Sequence, residues 1–509
     1  MKIKKSTAIL AAVLMAGTVV FGMTGCNNKG GAKEGELLIR YFQGGTGDAW
    51  LKNAARKFEE RNEGVTVKLE GNNDVPSLIY TQLNSGKDLA DIYMLPELGW
   101  QEYVTRGKVA NLNDVYEAEV ETSNHGKIKI KDYLLPAVRD SRYLSRVEGA
   151  PAMPWTMSMA FSQAGIVYNE DILLSTRHTT AKAGEWAAGD TWTAPPETVD
   201  DLLSYCADLN SVGKTPFSFA GKETDWLMRL MWGWWAQYQG ANELNTANAD
   251  VTANEGTFFE YWNYKSPEVF NQAGIGKSIA AFQSIFIDDD GKIKNTPLSV
   301  MEKSTQDAER DFVQQDVAMV VCGAFAYNEI LPMLDNDNDG ERDFTVKMMN
   351  LPYIDGAQKG TDGKTLNMNL YNSEDIVLVP AEATNVDLAK RFLILLCEEE
   401  SLLDYTKQCG ELRPFKCDLS LNETNGFEYP AFTKSVIDIY NNTDVHLIRY
   451  PATTALSDVS YLYSYKQPLW TDAYSSFNAQ LFKMDSTSIL QEIYNGAKKE
   501  WPIWESQVN

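Results

Sequence analysis

Residues 36–71 read ELLIRYFQGGTGDAWLKNAARKFEERNEGVTVKLEG, and this stretch decides the fold class. Its first eight residues are rich in β-forming types and end at two glycines, which predicts a strand. From Asp48, the predicted N-cap, apolar residues repeat at helical spacing, and those of 65–69 then alternate as a second strand. A strand, a helix and a strand in this order form the unit of a parallel sheet covered by helices. The stretch therefore predicts an α/β protein.

The same alternation continues along the chain. Short β-rich runs at 89–95, 316–321 and 375–379 stop at or near a proline or glycine, which predicts further buried strands. Thr198 and Asn385 precede runs whose apolar residues repeat at helical spacing, so each is a predicted helix N-cap. Strands and helices thus alternate over the whole length, as expected for an α/β architecture.

Composition favours binding over catalysis. The length of 509 residues fits two to four domains at roughly 150 residues each. The formal net charge is −24, from 46 Lys plus Arg and 70 Asp plus Glu, which argues against nucleic acid as a partner. The chain holds 13 Trp, 24 Tyr and 20 Phe but only three His, all expected to be solvated. Flat aromatic faces suit the binding of a neutral ligand, whereas acid–base enzymes usually need more imidazole.

The first residues predict export. Three lysines precede an apolar run at 8–23, and the layout of residues 1–25 is that of a secretory signal peptide. The segment Met23-Thr24-Gly25-Cys26 resembles a bacterial lipobox, in which the cysteine is lipidated and becomes the mature N-terminus. Residues 26–35 are polar and glycine-rich, as in a flexible tether. No later stretch reaches roughly 18 uninterrupted apolar residues, so a lipid on Cys26 is the predicted membrane anchor.

Neither the cysteines nor the acidic runs predict a cofactor or metal site. The other five cysteines contain no C-x-x-C pair, so neither zinc nor a full disulfide framework is indicated. Cys409 and Cys417 could pair in an exported protein, but scattered buried thiols are the favoured interpretation. The run 335–340 (DNDNDG) opens like a calcium loop, yet its twelfth position is Val346 instead of a glutamate. A solvated acidic turn is favoured, and an incomplete calcium site stays open as the alternative.

Four groups of segments, in order, resemble the family of extracellular solute-binding proteins that serve sugar ABC transporters. They are 85–93 (SGKDLADIY) with 107–112 (GKVANL), 149–155 (GAPAMPW) with 167–171 (VYNED), 316–325 (DVAMVVCGAF), and 385–393 (NVDLAKRFL). The match covers nearly the whole mature chain, and the order of the segments makes the set specific.

The resemblance implies a two-lobed periplasmic-binding-protein-like α/β fold with a hinge that the chain crosses more than once. The predicted N-terminal lobe comprises 36–154 plus 324–398, and the C-terminal lobe 155–323 plus 399–509. The implied protein is a monomer and not an enzyme. It captures a sugar, by preference an oligosaccharide, in the cleft between the lobes and delivers it to ABC transporter permease subunits.

A sugar site needs aromatic rings that stack on the faces of the sugar rings, and polar side chains that form hydrogen bonds with the sugar hydroxyls. Loops that follow strands, and the segments that cross between lobes, supply the first candidates, because α/β sheets bind ligands at the carboxyl ends of their strands. These candidates are Gln43, Thr46, Asp48, Glu97, Trp100, Trp155, Phe325 and Tyr327. The resemblance adds Trp232, Trp235 and Trp470, which match segments with stacking tryptophans in maltodextrin-binding members, and Arg413 in the GELRP turn. Each tryptophan equally fits a buried core position.

Two other functions remain open from the sequence. An exported carbohydrate-active enzyme, such as a glycosidase-like lipoprotein, would need two carboxylates about 5–10 Å apart across the cleft. The same fold binding a peptide or a polyamine would need charged side chains between aromatic walls, and no such cluster stands out in the sequence.

Overall fold

The structure, a computed structural model, describes residues 31–508 except for 73–74, 96–99, 136–137, 140–146, 148–149, 152, 159–161, 223–224, 241–266, 336–341, 372–375 and 448–482. The strands are β1 (Glu36–Tyr41), β2 (Thr66–Gly71), β3 (Ile92–Leu95), β4 (Glu119–Thr122), β5 (Gly126–Lys129), β6 (Ser162–Asn169), β7 (Thr215–Ser218), β8 (Val317–Gly323), β9 (Val346–Met349), β10 (Thr365–Tyr371), β11 (Ile376–Leu378) and β12 (Thr443–Leu447).

The helices alternate with these strands. They are α1 (Ala49–Arg61), α2 (Val75–Ser85), α3 (Trp100–Thr105), α4 (Asn113–Glu117), α5 (Ile130–Tyr133), α6 (Glu170–Ser175), α7 (Val199–Ser211), α8 (Asp225–Gln239), α9 (Ala273–Phe286), α10 (Thr305–Val313), α11 (Ala326–Ile330), α12 (Val386–Leu396), α13 (Glu399–Cys409), α14 (Ser420–Thr424), α15 (Ala431–Asn442) and α16 (Ser486–Val508).

The first sheet has the strand order β11-β3-β1-β2. β1 pairs in parallel with both β2 and β3, and β11 joins antiparallel to β3. Helix α1 connects β1 to β2 and buries Leu51, Ala54, Ala55 and Phe58 on one face. The predicted strand–helix–strand unit is therefore confirmed, with β1 ending two residues earlier than expected.

The second sheet has the order β12-β10-β6-β8-β7, with β9 on β6 as well. β6 and β8 are buried along their whole length, because helices cover the sheet. Helix α7 begins where predicted: the Thr198 hydroxyl accepts the Asp201 N–H, and the Asp201 carboxylate accepts the Thr198 N–H. The chain thus folds into two α/β lobes, each built on one sheet.

Strand pairing and helix packing connect segments from both predicted lobe ranges. Within 324–398, β11 pairs with β3 of the first sheet, whereas β9 and β10 pair with β6 of the second. In the range 399–509, α13 packs on α1 of the first lobe, since Asn53 Nδ2 donates to Asp404 Oδ2 over 2.9 Å. Short, non-local strands such as β9 leave no periodic pattern that sequence alone would assign.

A buried carboxylate ties the first sheet to the segment that returns to it. Asp91 is 0% exposed. Its Oδ2 accepts the Leu38 N–H over 2.9 Å, and its Oδ1 accepts the Asn385 N–H over 2.8 Å. The Asn385 side chain does not cap α12 as predicted, but donates to the Lys33 and Glu36 carbonyls instead. Three segments far apart in sequence are thereby fixed to one another.

The five cysteines within the described residues are unpaired. Cys206, Cys322, Cys397 and Cys409 are buried and Cys417 is half-buried, all as free cysteines. The favoured interpretation of scattered thiols is therefore confirmed, and the alternative of a Cys409–Cys417 disulfide is not.

One histidine prediction is wrong. His178 is 5% exposed instead of solvated. Its ring stacks on that of Trp186 with centroids 4.4 Å apart and lies 4.3 Å from that of Trp192. A buried aromatic neighbourhood outside the regular helices gave no signal in the sequence pattern.

We expect Asp91→Ala to weaken the first lobe, because the N–H groups of Leu38 and Asn385 would stay buried without an acceptor. An unsatisfied buried donor costs about 1–3 kcal/mol, so the loss of an acceptor for two donors should lower the free energy of unfolding by about 2–6 kcal/mol. Chemical denaturation followed by tryptophan fluorescence measures the change. The control Asp289→Ala removes an exposed carboxylate and should alter the unfolding free energy by less than about 0.5 kcal/mol. Unchanged stability of Asp91→Ala would contradict this role.

Candidate functional site

The loop that follows β1, residues 42–48, is called the glycine loop. It carries three of the predicted contacts at the carboxyl end of a parallel strand. Gln43 is exposed, and Thr46 and Asp48 are partly exposed. The Gly47 N–H donates to the Gly44 carbonyl over 3.1 Å, so the loop is a tight turn. Of the predicted residues, these three keep polar surface at a strand end.

Asp48 is held in place by its neighbours. The Tyr41 hydroxyl donates to Asp48 Oδ2 over 2.6 Å, and Lys52 Nζ lies 2.8 Å from Asp48 Oδ1. Partial burial works against ionisation, but the hydrogen bonds from Lys52 and Tyr41 hold the pKa of Asp48 below its ordinary value. Asp48 is thus an ionised acceptor of fixed orientation at the start of α1.

The glycine loop touches the segment that follows β8, and this contact is called the seam. A Cβ atom at Gly45 would lie 2.7 Å from Phe325 Cδ2 and 2.9 Å from Glu329 Oε1. Phe325 and Glu329 are both partly exposed. They lie four residues apart, one at the N-cap of α11 and one within it, and both meet the same glycine. Only glycine leaves room for this approach.

Tyr327 lies deeper than Phe325. Its ring stacks on that of Phe432 with centroids 4.4 Å apart and planes 1° from parallel. Arg342 Nη1 donates to the Tyr327 hydroxyl over 2.9 Å, and a Cβ atom at Gly410 would lie 3.2 Å from Tyr327 Cδ1. Tyr327 is only 3% exposed, so it is a buried support of the segment that carries Phe325.

Arg413 lies between two aromatic rings. Its guanidinium carbon is 4.5 Å from the ring centre of Trp50 and 4.1 Å from that of Tyr405. Trp50 Nε1 in turn donates to the Gly47 carbonyl over 3.2 Å. This cation–π stack places the predicted arginine beneath the glycine loop, where it is buried and orients Trp50.

A buried glutamate extends this stack toward the second sheet. Glu411, which is 1% exposed, accepts hydrogen bonds from the Ser162 hydroxyl over 2.5 Å and from the Tyr405 hydroxyl over 3.1 Å. Ser162 is the first residue of β6 in the second sheet. The turn at 410–414 (GELRP) therefore contacts both lobes.

The tryptophans of α8 divide between core and surface. Trp234 Nε1 donates to the Pro352 carbonyl over 2.8 Å, and Trp235 Nε1 donates to Gln272 Oε1 over 2.7 Å. Both rings are buried in the core beside the second sheet. Trp232 packs against the same core but is only partly buried, so part of its surface is accessible.

The remaining predicted residues lie in the first lobe or outside the described residues. Trp100 and Trp155 are buried in the cluster of apolar side chains around β3 and β11. Neither presents an exposed ring face in this structure. Glu97, Trp470 and the predicted lipidation residue Cys26 lie outside the described residues.

Sequence reasoning missed Trp50, Glu329 and Glu411. Trp50 stands two residues after Asp48, so its place at the start of α1 was a usable signal. Glu329 and Glu411 offered none, since acidic residues are too numerous for individual ones to be recognised.

An outer groove of about 690 Å³ runs between α1, α13 and α14. Its polar groups already pair across it, as in the contacts of Lys57 with Glu400 and of Asn53 with Asp404.

Metal and membrane features are absent from the part of the chain that the structure describes. Within it, no group of three or more His, Cys, Asp and Glu side chains could hold a metal ion. Asp335 is the only described residue at the start of the calcium-like run, and 336–341 lie outside the described residues. None of the described helices combines the length and apolar character needed to cross a bilayer.

Solved structures share this fold. RafE of Streptococcus pneumoniae in its apo form is 15% identical at a TM-score of 0.59, covering 92% of this chain and 98% of RafE. RafE in complex with raffinose gives a TM-score of 0.55 at 15% identity, with 90% and 98% covered. A protein from work on xylan utilization by Caldanaerobius polysaccharolyticus is also 15% identical, with a TM-score of 0.56 and 90% and 99% covered. At such identities the likeness establishes the two-lobed fold.

Sequence comparison establishes the family. No curated protein matches the chain in sequence. Residues 53–432 match the pattern of bacterial extracellular solute-binding proteins. Because that match spans most of the chain, the protein belongs to the bacterial extracellular solute-binding protein family, the exported binding proteins of ABC-type transporters.

Proposed function

We propose that the protein captures a neutral sugar, by preference an oligosaccharide, by closing its two lobes and delivers it to an ABC permease. It performs no catalysis, acts as a monomer and is held at the outer face of the cell membrane by a lipid on Cys26. Family membership supports the role in transport. The likeness to RafE, which is known in complex with raffinose, supports a carbohydrate ligand.

The seam is the observation that carries this proposal. The glycine loop follows β1 of the first sheet, and Phe325 follows β8 of the second. Both segments leave the carboxyl ends of their strands, where open α/β sheets bind ligands. An aromatic ring and hydrogen-bonding side chains therefore meet between two lobes, as a sugar requires.

We propose that Gln43, Thr46, Asp48, Phe325 and Trp232 contact the ligand directly. Arg413, Tyr327, Trp100, Trp155 and Trp235 are buried, and in this proposal they support the walls of the cleft instead of contacting the ligand. Glu97 and Trp470 keep their predicted roles as ligand contacts.

We propose amended lobe bounds that follow the sheets. The first lobe takes 36–157 and 376–429, since α13 and the turn after it pack on α1. The second takes 162–371 and 430–508, since the Ser435 hydroxyl on α15 accepts the Met348 N–H of β9 over 2.9 Å.

A calorimetric panel tests the ligand class. It contains raffinose, xylo-oligosaccharides and maltodextrins, together with a peptide mixture and spermidine. We expect binding of at least one sugar and none of the other two classes, with the bound sugar recovered intact by chromatography. Binding of peptide or spermidine alone would reject the sugar proposal, and a cleaved sugar would favour the enzyme alternative.

The lipid anchor predicts a change of location for Cys26→Ser. If one lipid supplies the membrane affinity, the variant should leave the membrane fraction and appear in soluble form. Fractionation followed by immunoblotting measures this. The control Cys417→Ser alters a thiol far along the chain and should stay membrane-bound. If the Cys26→Ser variant stayed in the membrane fraction, the proposed lipid anchor on Cys26 would be wrong.

Closure predicts a smaller molecule when the ligand is bound. Small-angle X-ray scattering should show a lower radius of gyration with the tightest sugar of the panel, because the ligand favours the state in which both lobes contact it. Gly45→Ala should reduce this compaction, since its Cβ would collide with Phe325 and Glu329. An identical radius with and without sugar would indicate a preformed site instead of closure.

Variants of two neighbouring tryptophans, Trp232 and Trp234, distinguish a residue that contacts the ligand from a residue of the core. Trp232→Ala should weaken sugar binding about 5- to 150-fold, which corresponds to about 1–3 kcal/mol for an aromatic at a binding hot spot. The matched control Trp234→Ala removes a fully buried ring and should cost about 3–5 kcal/mol of unfolding free energy. Its affinity per folded molecule should stay near the wild-type value. The placement of Trp232 is wrong if its variant loses stability alone.

A further inference from the structure

An exposed aromatic residue follows the end of β1. Phe42, the first residue of the glycine loop, is 39% exposed, whereas Tyr41 before it is 7% exposed. The Phe42 N–H donates to the Met94 carbonyl over 2.8 Å, so its backbone continues the pairing of β1 with β3. Because β1 lies between β2 and β3, Phe42 follows the central one of three parallel strands. Open α/β sheets bind ligands at such strand ends.

The two glycines after Gln43 leave room for two aromatic rings. A Cβ atom at Gly44 would lie 2.7 Å from Phe42 Cε1 and 3.1 Å from Phe42 Cδ1. One at Gly45 would lie 2.7 Å from Phe325 Cδ2. The rings of Phe42 and Phe325 therefore pack on consecutive residues of the same loop.

Space, and not backbone conformation, accounts for these two glycines. Neither Gly44 nor Gly45 has a φ in the left-handed region, so other residues could adopt their backbone conformations. Gly47 in the same loop is the opposite case, because its φ is +64° and a Cβ atom there would meet nothing within 4 Å. Gly44 and Gly45 thus serve the close approach of the two rings.

Exposure alone would not give Phe42 a function, since a large share of any protein surface is apolar. Leu298, for example, is 90% exposed in the loop between α9 and α10. Phe42 differs because the chain leaves out a side chain at Gly44 to make room for its ring, at the strand end where other ligand contacts are proposed.

The two rings and a carboxylate suit more than one unit of a sugar chain. Since adjacent Cα atoms are about 3.8 Å apart, the ring atoms that meet Gly44 and Gly45 lie within roughly 12 Å of each other. Two linked sugar rings can span that distance. Asp48, at the end of the same loop, adds an ionised acceptor for sugar hydroxyls.

We propose that Phe42 is a second stacking residue of the sugar site, so that Phe42 and Phe325 each cover one ring of the same oligosaccharide. This role rests on the proposed function, because it concerns the same cleft. A single sugar ring stacks on one of the two side chains at a time, whereas a longer sugar gains both contacts. The glycine loop therefore selects its ligand by chain length.

Calorimetry with Phe42→Ala tests this role. The tightest sugar of the panel is compared with shorter members of its own series. The variant should bind the long sugar about 5- to 150-fold more weakly, as for an aromatic at a binding hot spot, and the preference for the long sugar over the short ones should shrink. Its melting temperature should stay at the wild-type value, because the ring is exposed. Phe42→Trp keeps an aromatic face and should retain the preference.

Two further variants separate stacking from a general surface effect. Leu298→Ala removes another exposed apolar side chain and should bind every sugar as the wild type does. Gly44→Ala should weaken binding of the long sugar by displacing the Phe42 ring, yet add no further loss to Phe42→Ala. An equal loss from Gly44→Ala in both backgrounds would contradict its action through Phe42.

The outcomes distinguish this role from the proposed function. If the sugar binds and Phe42→Ala keeps wild-type affinity for it, the stacking role of Phe42 is overturned while the proposed function stands. An equal loss of affinity for long and short sugars would overturn the selection by chain length. If no sugar of the panel binds the wild type, the proposed function and the stacking role fail together. Phe42→Leu, which keeps apolar bulk without an aromatic face, provides the same comparison if Phe42→Ala does not fold.

Discussion

The hydrogen bonds of Asp91 set the geometry on which the first lobe depends. A fully buried carboxylate must find donors, and here they come from the backbones of β1 and of the residue that precedes α12. Asn385 completes the arrangement by donating to the carbonyls of Lys33 and Glu36. Residues about 290 to 350 positions apart are thus joined by polar contacts that tolerate little displacement. The direction of β1, and with it the position of the glycine loop, follows from this junction.

A second set of polar contacts continues from the glycine loop to the other lobe. Trp50 reaches the loop through Gly47, Arg413 lies against Trp50, and Glu411 accepts a hydrogen bond from the first residue of β6. These interior charged and aromatic side chains fix the segments relative to one another and are not available to a ligand from solvent. The accessible polar side chains here are a few residues at the strand ends.

Sequence patterns predicted the elements better than the site. Local signals were sufficient for β1, α1 and β2 and for the N-cap at Thr198, because each depends on neighbours a few residues away. They failed for β9 and β10, whose pairing with β6 is non-local, and for Asn385, whose side chain bonds to a distant segment. The tryptophans of α8 show the same limit. Helical spacing brings Trp232, Trp234 and Trp235 onto one element, but their exposure depends on what the rest of the chain packs against them. Glu411 was indistinguishable from a surface acid for this reason.

The free thiols have a consequence for biogenesis. In the native state burial raises the pKa of Cys397 to about 12 and also raises that of Cys206 and Cys409, so these groups stay protonated and poorly reactive. An exported chain emerges unfolded, and all its cysteines then meet an oxidising environment at their ordinary reactivity. Folding and oxidation therefore compete during the first moments outside the cell. A chain that folds slowly would be trapped by mispaired disulfides, so rapid burial of its thiols protects the protein as much as any later contact does.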